Sequence, residues 1–216
     1  MELDAVEARV LGCLVEKAFT TPDVYPLTVN SLLAACNQTT NRSPVVRYQE
    51  DDVLDALVSL REKGLTRIVY SPSNRAPKHR HVADESLAVD PAGLAVLCVL
   101  LLRGPQTVGE VKARTERLHP FADLAEAEAT LEHLAARDEP LAVRLPRLPG
   151  QKDARYAHLL SGPVDVDPEP EPARPARAGA SDVEPRVVAL EAELAALRSE
   201  LAAVVAVVDR LRALLD

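Results

Sequence analysis

The sequence contains no tryptophan, two phenylalanines and one methionine in 216 residues. Its cores must therefore be built from Leu, Val and Ala, a composition that favours helices. Only three cysteines occur, Cys13, Cys36 and Cys98, with no Cys-x-x-Cys among them. That absence argues against zinc and disulfide chemistry and leaves small core residues in a reducing cytosol. The longest strongly apolar run, Leu94 to Leu102, is about half a membrane span. Met1-Glu2-Leu3-Asp4 lacks a basic leader, so a cytoplasmic protein is expected, with no membrane partner.

Catalytic signals are missing too. There is no Gly-rich phosphate loop, no nucleophile–base pair that sequence can place together, and no metal-ligand spacing. His79-x-His81 would point two imidazoles to one strand face, but no third ligand lies nearby. A non-enzyme without cofactor or metal is expected.

The net charge of −8 is unevenly spread. Residues 1–89 carry 10 basic and 12 acidic side chains and residues 90–162 carry 9 and 10, whereas 163–185 alone carry 2 and 6. The two would-be domains are close to neutral, so overall acidity does not by itself exclude nucleic acid.

What is present is organised around Thr20 to Pro44, TTPDVYPLTVNSLLAACNQTTNRSP. Asp4 and Glu7 make a capping-box start for a helix from about Ala5 to Ala18, with Val6, Val10, Cys13 and Leu14 at helical spacing. Thr28 caps a second helix that ends near Asn37, and a third runs from about Glu50 to Lys63 with Val53, Leu57 and Leu60 inward. Leu65–Tyr70 and His79–Val82 read as strands joined by the turn residues Ser71 to Pro77. Three helices and a β-ribbon describe a winged helix-turn-helix.

The order then repeats. Asp90-Pro91 opens a helix, Gly104-Pro105 stops it, and Thr107 with Glu110 caps a short second one. Asp123 and Glu126 open a third, with Leu124, Leu131 and Leu134 inward. Leu141–Leu145 and Ala154–Leu159 form a second wing. The fold class expected is mainly α with small β-hairpins, namely two tandem winged helices, 1–89 and 90–161. A Pro- and acid-rich linker, 162–185, and a coiled-coil helix, 186–216, follow. Leu190, Leu194, Leu197, Leu201, Val204, Val208, Leu211 and Leu215 supply the heptad, and a homo-oligomer is expected through it.

The segments Glu7–Lys17 (EARVLGCLVEK), Thr20–Val45, Leu101–Glu110 (LLRGPQTVGE) and Arg144–Tyr156 (RLPRLPGQKDARY) resemble the YceH family of bacterial proteins. The resemblance covers about residues 3–160. It implies a tandem winged-helix fold, often with a C-terminal coiled coil, and no established activity. Where that family usually has a Ser cap before the third helix, this chain has Gln49.

Two functional readings stand. From Lys63 to Ala83 there are five basic residues and no acid, and Arg144, Arg147, Lys152 and Arg155 repeat the pattern in the second wing. Such hairpins suit double-stranded DNA held by its phosphates, as in a transcription regulator, through Asn41, Arg42, Arg67, Arg75, Lys78, Arg80, Arg147 and Lys152. The third helix points the other way. Its outer face presents Asp52, Asp55, Ser59 and Glu62, and the second one presents Glu126, Glu128 and Glu132 with His133. Neither carries the Arg, Lys, Asn or Gln side chains that commonly read bases. The alternative is a protein-interaction module that docks a partner in a larger assembly.

Overall fold

α1 (Ala5–Thr20) starts where local chemistry dictates. Asp4 accepts the Glu7 backbone N–H at 2.8 Å, and the Glu7 carboxylate accepts the Asp4 N–H at 2.7 Å. The computed structural model describes residues 2–70, 76–147 and 150–164. After a 3₁₀ turn at Pro22–Val24 comes α2 (Val29–Cys36), capped by the Thr28 hydroxyl, and then α3 (Glu50–Glu62). β1 (Thr66–Val69) and β2 (Lys78–His81) pair antiparallel, with Arg67 opposite Arg80 and Ile68 opposite His79.

A short helix, α4 (Ala83–Leu87), links this group to the next. α5 (Pro91–Arg103) is capped by Asp90. β3 (Gln106–Thr107) leads into α6 (Val108–Thr115), where Thr107 and Glu110 close the expected capping box. α7 (Leu124–Ala135), β4 (Ala142–Arg144) and β5 (Arg155–His158) complete the described residues. The fold is thus mainly helical with two small antiparallel sheets among the described residues. The second sheet has three strands in the order β3-β5-β4, where a hairpin alone was expected.

Two local expectations change. Leu124 is 55% exposed at the start of α7, and Ala127 takes the inward place in register with Leu131 and Leu134. Asn37 ends α2 without entering the left-handed region. Asn41, four residues on, is the one with φ of 61°.

α1 and α5 form the centre, with Val10, Leu11, Leu14, Leu97 and Leu100 almost wholly buried. The chain closes on itself where the Leu3 N–H meets the Leu160 carbonyl at 2.7 Å. Both groups of elements belong to one compact unit, Met1–Asp167, so the expected 89/90 boundary falls inside it. All but the first three residues of the expected linker, and the whole 186–216 heptad, lie outside the described residues. Among the described residues, no helix is long and apolar enough to cross a membrane.

Three histidines are held against protonation. Burial lowers His79 and His81, with Arg61 adding to it at His79, and burial alone takes His158 down to about 4. A depressed histidine favours the unfolded chain once protons bind. Its contribution is therefore complete above the unfolded value of 6.5 and is lost as pH falls from there towards 4. For His158 the loss amounts to about 3 kcal/mol at most. His158→Gln should flatten the fall of urea-unfolding free energy between pH 6.5 and 4 by about one proton's slope, roughly 1.4 kcal/mol per pH unit. An unchanged slope would rule His158 out as the source.

Candidate functional site

The polar turn after α2 is shaped from inside by two arginines. Arg9, on α1, is 3% exposed and donates to the Pro44 carbonyl at 2.6 Å and the Cys36 carbonyl at 3.5 Å. Arg42 donates to the Ala35 carbonyl at 3.1 Å, the Asn41 carbonyl at 2.9 Å and the Gln38 side-chain oxygen at 3.0 Å. Its two terminal nitrogens grip Glu16 at 2.9 and 2.7 Å. Burial would pull the Arg42 guanidinium down, but Glu16 outweighs it and the net shift is upward. Glu16 is held low in turn, because Arg42 overcomes the upward push of burial. The expected role of Arg42 at a nucleic acid is corrected here. Its side chain is fully buried and has no donor to offer outside. Asn41 is exposed, and its side-chain oxygen accepts a bond from Arg103.

The first hairpin is not acid-free in space. Lys63 reaches back to the buried Glu7 at 2.5 and 2.6 Å, so one carboxylate both caps α1 and fastens the end of α3. Burial pushes Glu7 upward, and the bonds from Lys63, Ser59 and the Asp4 N–H reverse this to a net lowering. Arg67 and Arg80 lie opposite each other on one hairpin face, both towards Glu85 of α4, at 3.3 and 3.5 Å. These exposed pairs contribute little to stability, but they halve the local charge. Lys78 is half-buried on the same face as Arg67 and Arg80. Arg75 lies outside the described residues. In the second hairpin Arg147 and Lys152 are exposed and meet across the loop, where Arg147 donates to the Lys152 carbonyl at 3.4 Å. Arg144 stacks 5.9 Å over the Tyr156 ring. Arg155 turns inward to Glu110 at 3.1 Å and the Pro105 carbonyl at 2.9 Å.

Between α3 and the first hairpin lies a cleft of about 430 Å³. α2 enters against it because Leu27 exchanges both backbone bonds with His79, at 3.1 and 2.7 Å. Leu57, Ile68 and His79 form its inner wall, and Leu54 and Val58, 38% and 46% exposed, its open side. On a helix these positions share one arc with Glu50 and Arg61, and Asp51, Asp55 and Glu62 fall on the adjoining arc. The outer surface of α3 is therefore an apolar strip edged with carboxylates. Asp52 is taken up locally, accepting the Gln49 N–H at 2.7 Å, which supplies a cap where Ser is lacking.

A family model described as "Protein of unknown function, DUF480" matches residues 3–151. A UPF0502 protein of Geobacter sulfurreducens is 51% identical over 197 residues, covering 90% of each chain. Another, from Pelobacter propionicus, is 48% identical over 97% of this chain and 96% of its own. A third, from Azoarcus sp., is 45% identical over the whole of this chain and 95% of its own. The chain belongs to the DUF480/UPF0502 family. The span of the family model includes both arginine anchors and the whole α3 cleft.

Leu54 and Val58 were missed as site residues when the outer face was read as Asp52, Asp55, Ser59 and Glu62. The signal was available: α3 holds apolar doublets at 53–54 and 57–58, and one residue of each suffices for an inner stripe. Burial of Arg42 had no such signal, because its partner is 26 residues away. Among the described residues no group of three His, Cys, Asp or Glu side chains is placed to hold a metal.

Proposed function

We propose that this member of the DUF480/UPF0502 family is a non-catalytic tandem winged-helix protein whose first winged helix docks an amphipathic helix of a protein partner between α3 and the hairpin. The observation that carries this is the apolar pair Leu54 and Val58, left exposed beside a cleft and edged by Asp51, Asp55 and Glu62. An apolar face seats itself in such a groove, and a basic flank on the incoming helix answers the carboxylates. The chain's own 186–216 heptad carries five acidic and four basic residues, so it lacks that basic bias.

Binding of double-stranded DNA, with transcriptional regulation as its outcome, is the second reading. What favours it is the exposed Arg144, Arg147 and Lys152 of the second hairpin. The acids of α3 repel phosphate, so contacts would run through the hairpins to backbone alone.

A photo-reactive residue in place of Val58 separates the two. The expected adduct is a partner peptide with apolar residues at helical spacing and flanking Lys or Arg. Leu54→Asp should cut its yield by at least about tenfold, since burying one leucine contributes roughly 1.5–3 kcal/mol. Adducts to nucleic acid alone, or a yield indifferent to Leu54→Asp, would turn the assignment to DNA or away from this groove.

A further inference from the structure

A second cleft, of about 320 Å³, opens on different elements, at the C-terminal ends of α1, α5 and α6. Lys17, Arg103, Arg114 and Arg117 line it, against two carboxylates, Glu16 and Glu116. Glu16 is already neutralised by Arg42 at 2.7 Å and Lys17 at 3.2 Å, and Arg114 is paired with Glu110 at 3.4 Å, which leaves Arg103 and Arg117 against Glu116. In a chain of net charge −8 this is a local excess of positive charge.

Cations at helix C-termini ordinarily answer the helix dipoles. Here the terminal carbonyls have other donors. Lys17 O receives the Thr21 N–H at 3.0 Å, Leu102 O the Ser43 N–H at 2.9 Å, and Thr115 O the Leu118 and His119 N–H groups, both at 2.7 Å. The Gln106 amide donates to Arg103 O at 3.1 Å. Arg117 is exposed and has no hydrogen-bond or ion-pair partner among the described residues.

The neutral lining has the same bias. The side-chain oxygens of Gln38 and Asn41 accept from Arg42 and Arg103, which can only donate, so each amide keeps its NH₂ for an incoming group. Thr20 and Thr21 donate their hydroxyl protons to the Glu16 and Lys17 carbonyls, at 2.8 and 3.2 Å, and so offer lone pairs to a ligand hydroxyl. Val99, Leu102 and Leu118 supply an apolar wall. A volume at the lower end of small-molecule sites, with one apolar wall and convergent polar groups, fits a compact ligand.

We propose that this cleft binds a small phosphate-bearing polyol of sugar-phosphate or mononucleotide size, its phosphate on Lys17, Arg103 and Arg117 and its hydroxyls towards Thr20 and Thr21. The proposal is independent of the α3 groove. The full chain is titrated calorimetrically with ribose 5-phosphate, AMP and, as the uncharged control, ribose. Binding of either phosphate with ribose silent is expected, and Arg117→Ala, at an exposed position, should weaken it about tenfold while leaving the thermal midpoint in place. Lys17→Ala should act in the same direction. No heat from either phosphate up to about 1 mM, or binding that Arg117→Ala leaves unchanged, overturns the proposal.

Discussion

Arg42→Ala should cost about 3–5 kcal/mol, the range for removing one partner of a buried ion pair. The variant leaves Glu16 half-buried with only Lys17, 3.2 Å away, to answer it. It also removes donors from the Ala35 and Asn41 carbonyls and from Gln38, so the turn between α2 and α3 loses its inner brace. Urea denaturation measures the loss as a lower midpoint at unchanged slope. Replacing both partners by apolar residues, Glu16→Leu with Arg42→Met, should recover a large part of it, since neither member of the pair is then left as an unanswered charge. A loss below about 1 kcal/mol for Arg42→Ala would mean that the pair is no more than a surface contact.

The same residue shows where reading the chain stops. Helix starts at Asp4, Thr28, Asp90, Thr107 and Asp123 are all legible, because each cap joins groups three residues apart. Inner stripes are legible by the same logic, as Val53, Leu57 and Leu60 are on α3. Charge is different. Lys63 to Ala83 reads as a basic run without acid, yet Lys63 meets Glu7 and two of the arginines approach Glu85. Glu7 is 56 residues from Lys63, a separation that no local pattern reports. Arg42 sits in a polar stretch indistinguishable by composition from a solvated loop, and only the fold turns it inward. The two-strand hairpin β1-β2 is legible from its turn residues, whereas β3 is two residues long and exists only because β5 lies beside it. The candidate surface therefore moves from the basic hairpin to the apolar strip of α3, whose extra leucine and valine were visible but had no assigned use.

Gly12→Val should destabilise the chain by about 3 kcal/mol, in spite of a helix propensity somewhat better than glycine's. Gly12 lies in α1 where that helix packs against Leu101 and Leu102 of α5. A Cβ there would stand 2.9 Å from Leu102 Cδ2, 3.0 Å from its Cγ and 3.2 Å from Leu101 Cβ. The leucine tip can swing away, but Leu101 Cβ moves only with the helix that carries it. The Cys98 thiol donates to the Gly12 carbonyl at 3.4 Å, so a side chain of α5 already rests directly on the α1 backbone at that point. A branched side chain must then push α5 outward, along with the α6 and α7 core that packs on it. Leu102→Ala alone should cost about 2–5 kcal/mol as a cavity. Combined with Gly12→Val it should cost less than the two losses added together, because the new methyls occupy the space the leucine leaves. Strict additivity in thermal or urea unfolding would show that the clash lies elsewhere. A Gly12→Val variant as stable as the parent chain would show that α1 and α5 are not locked at this crossing.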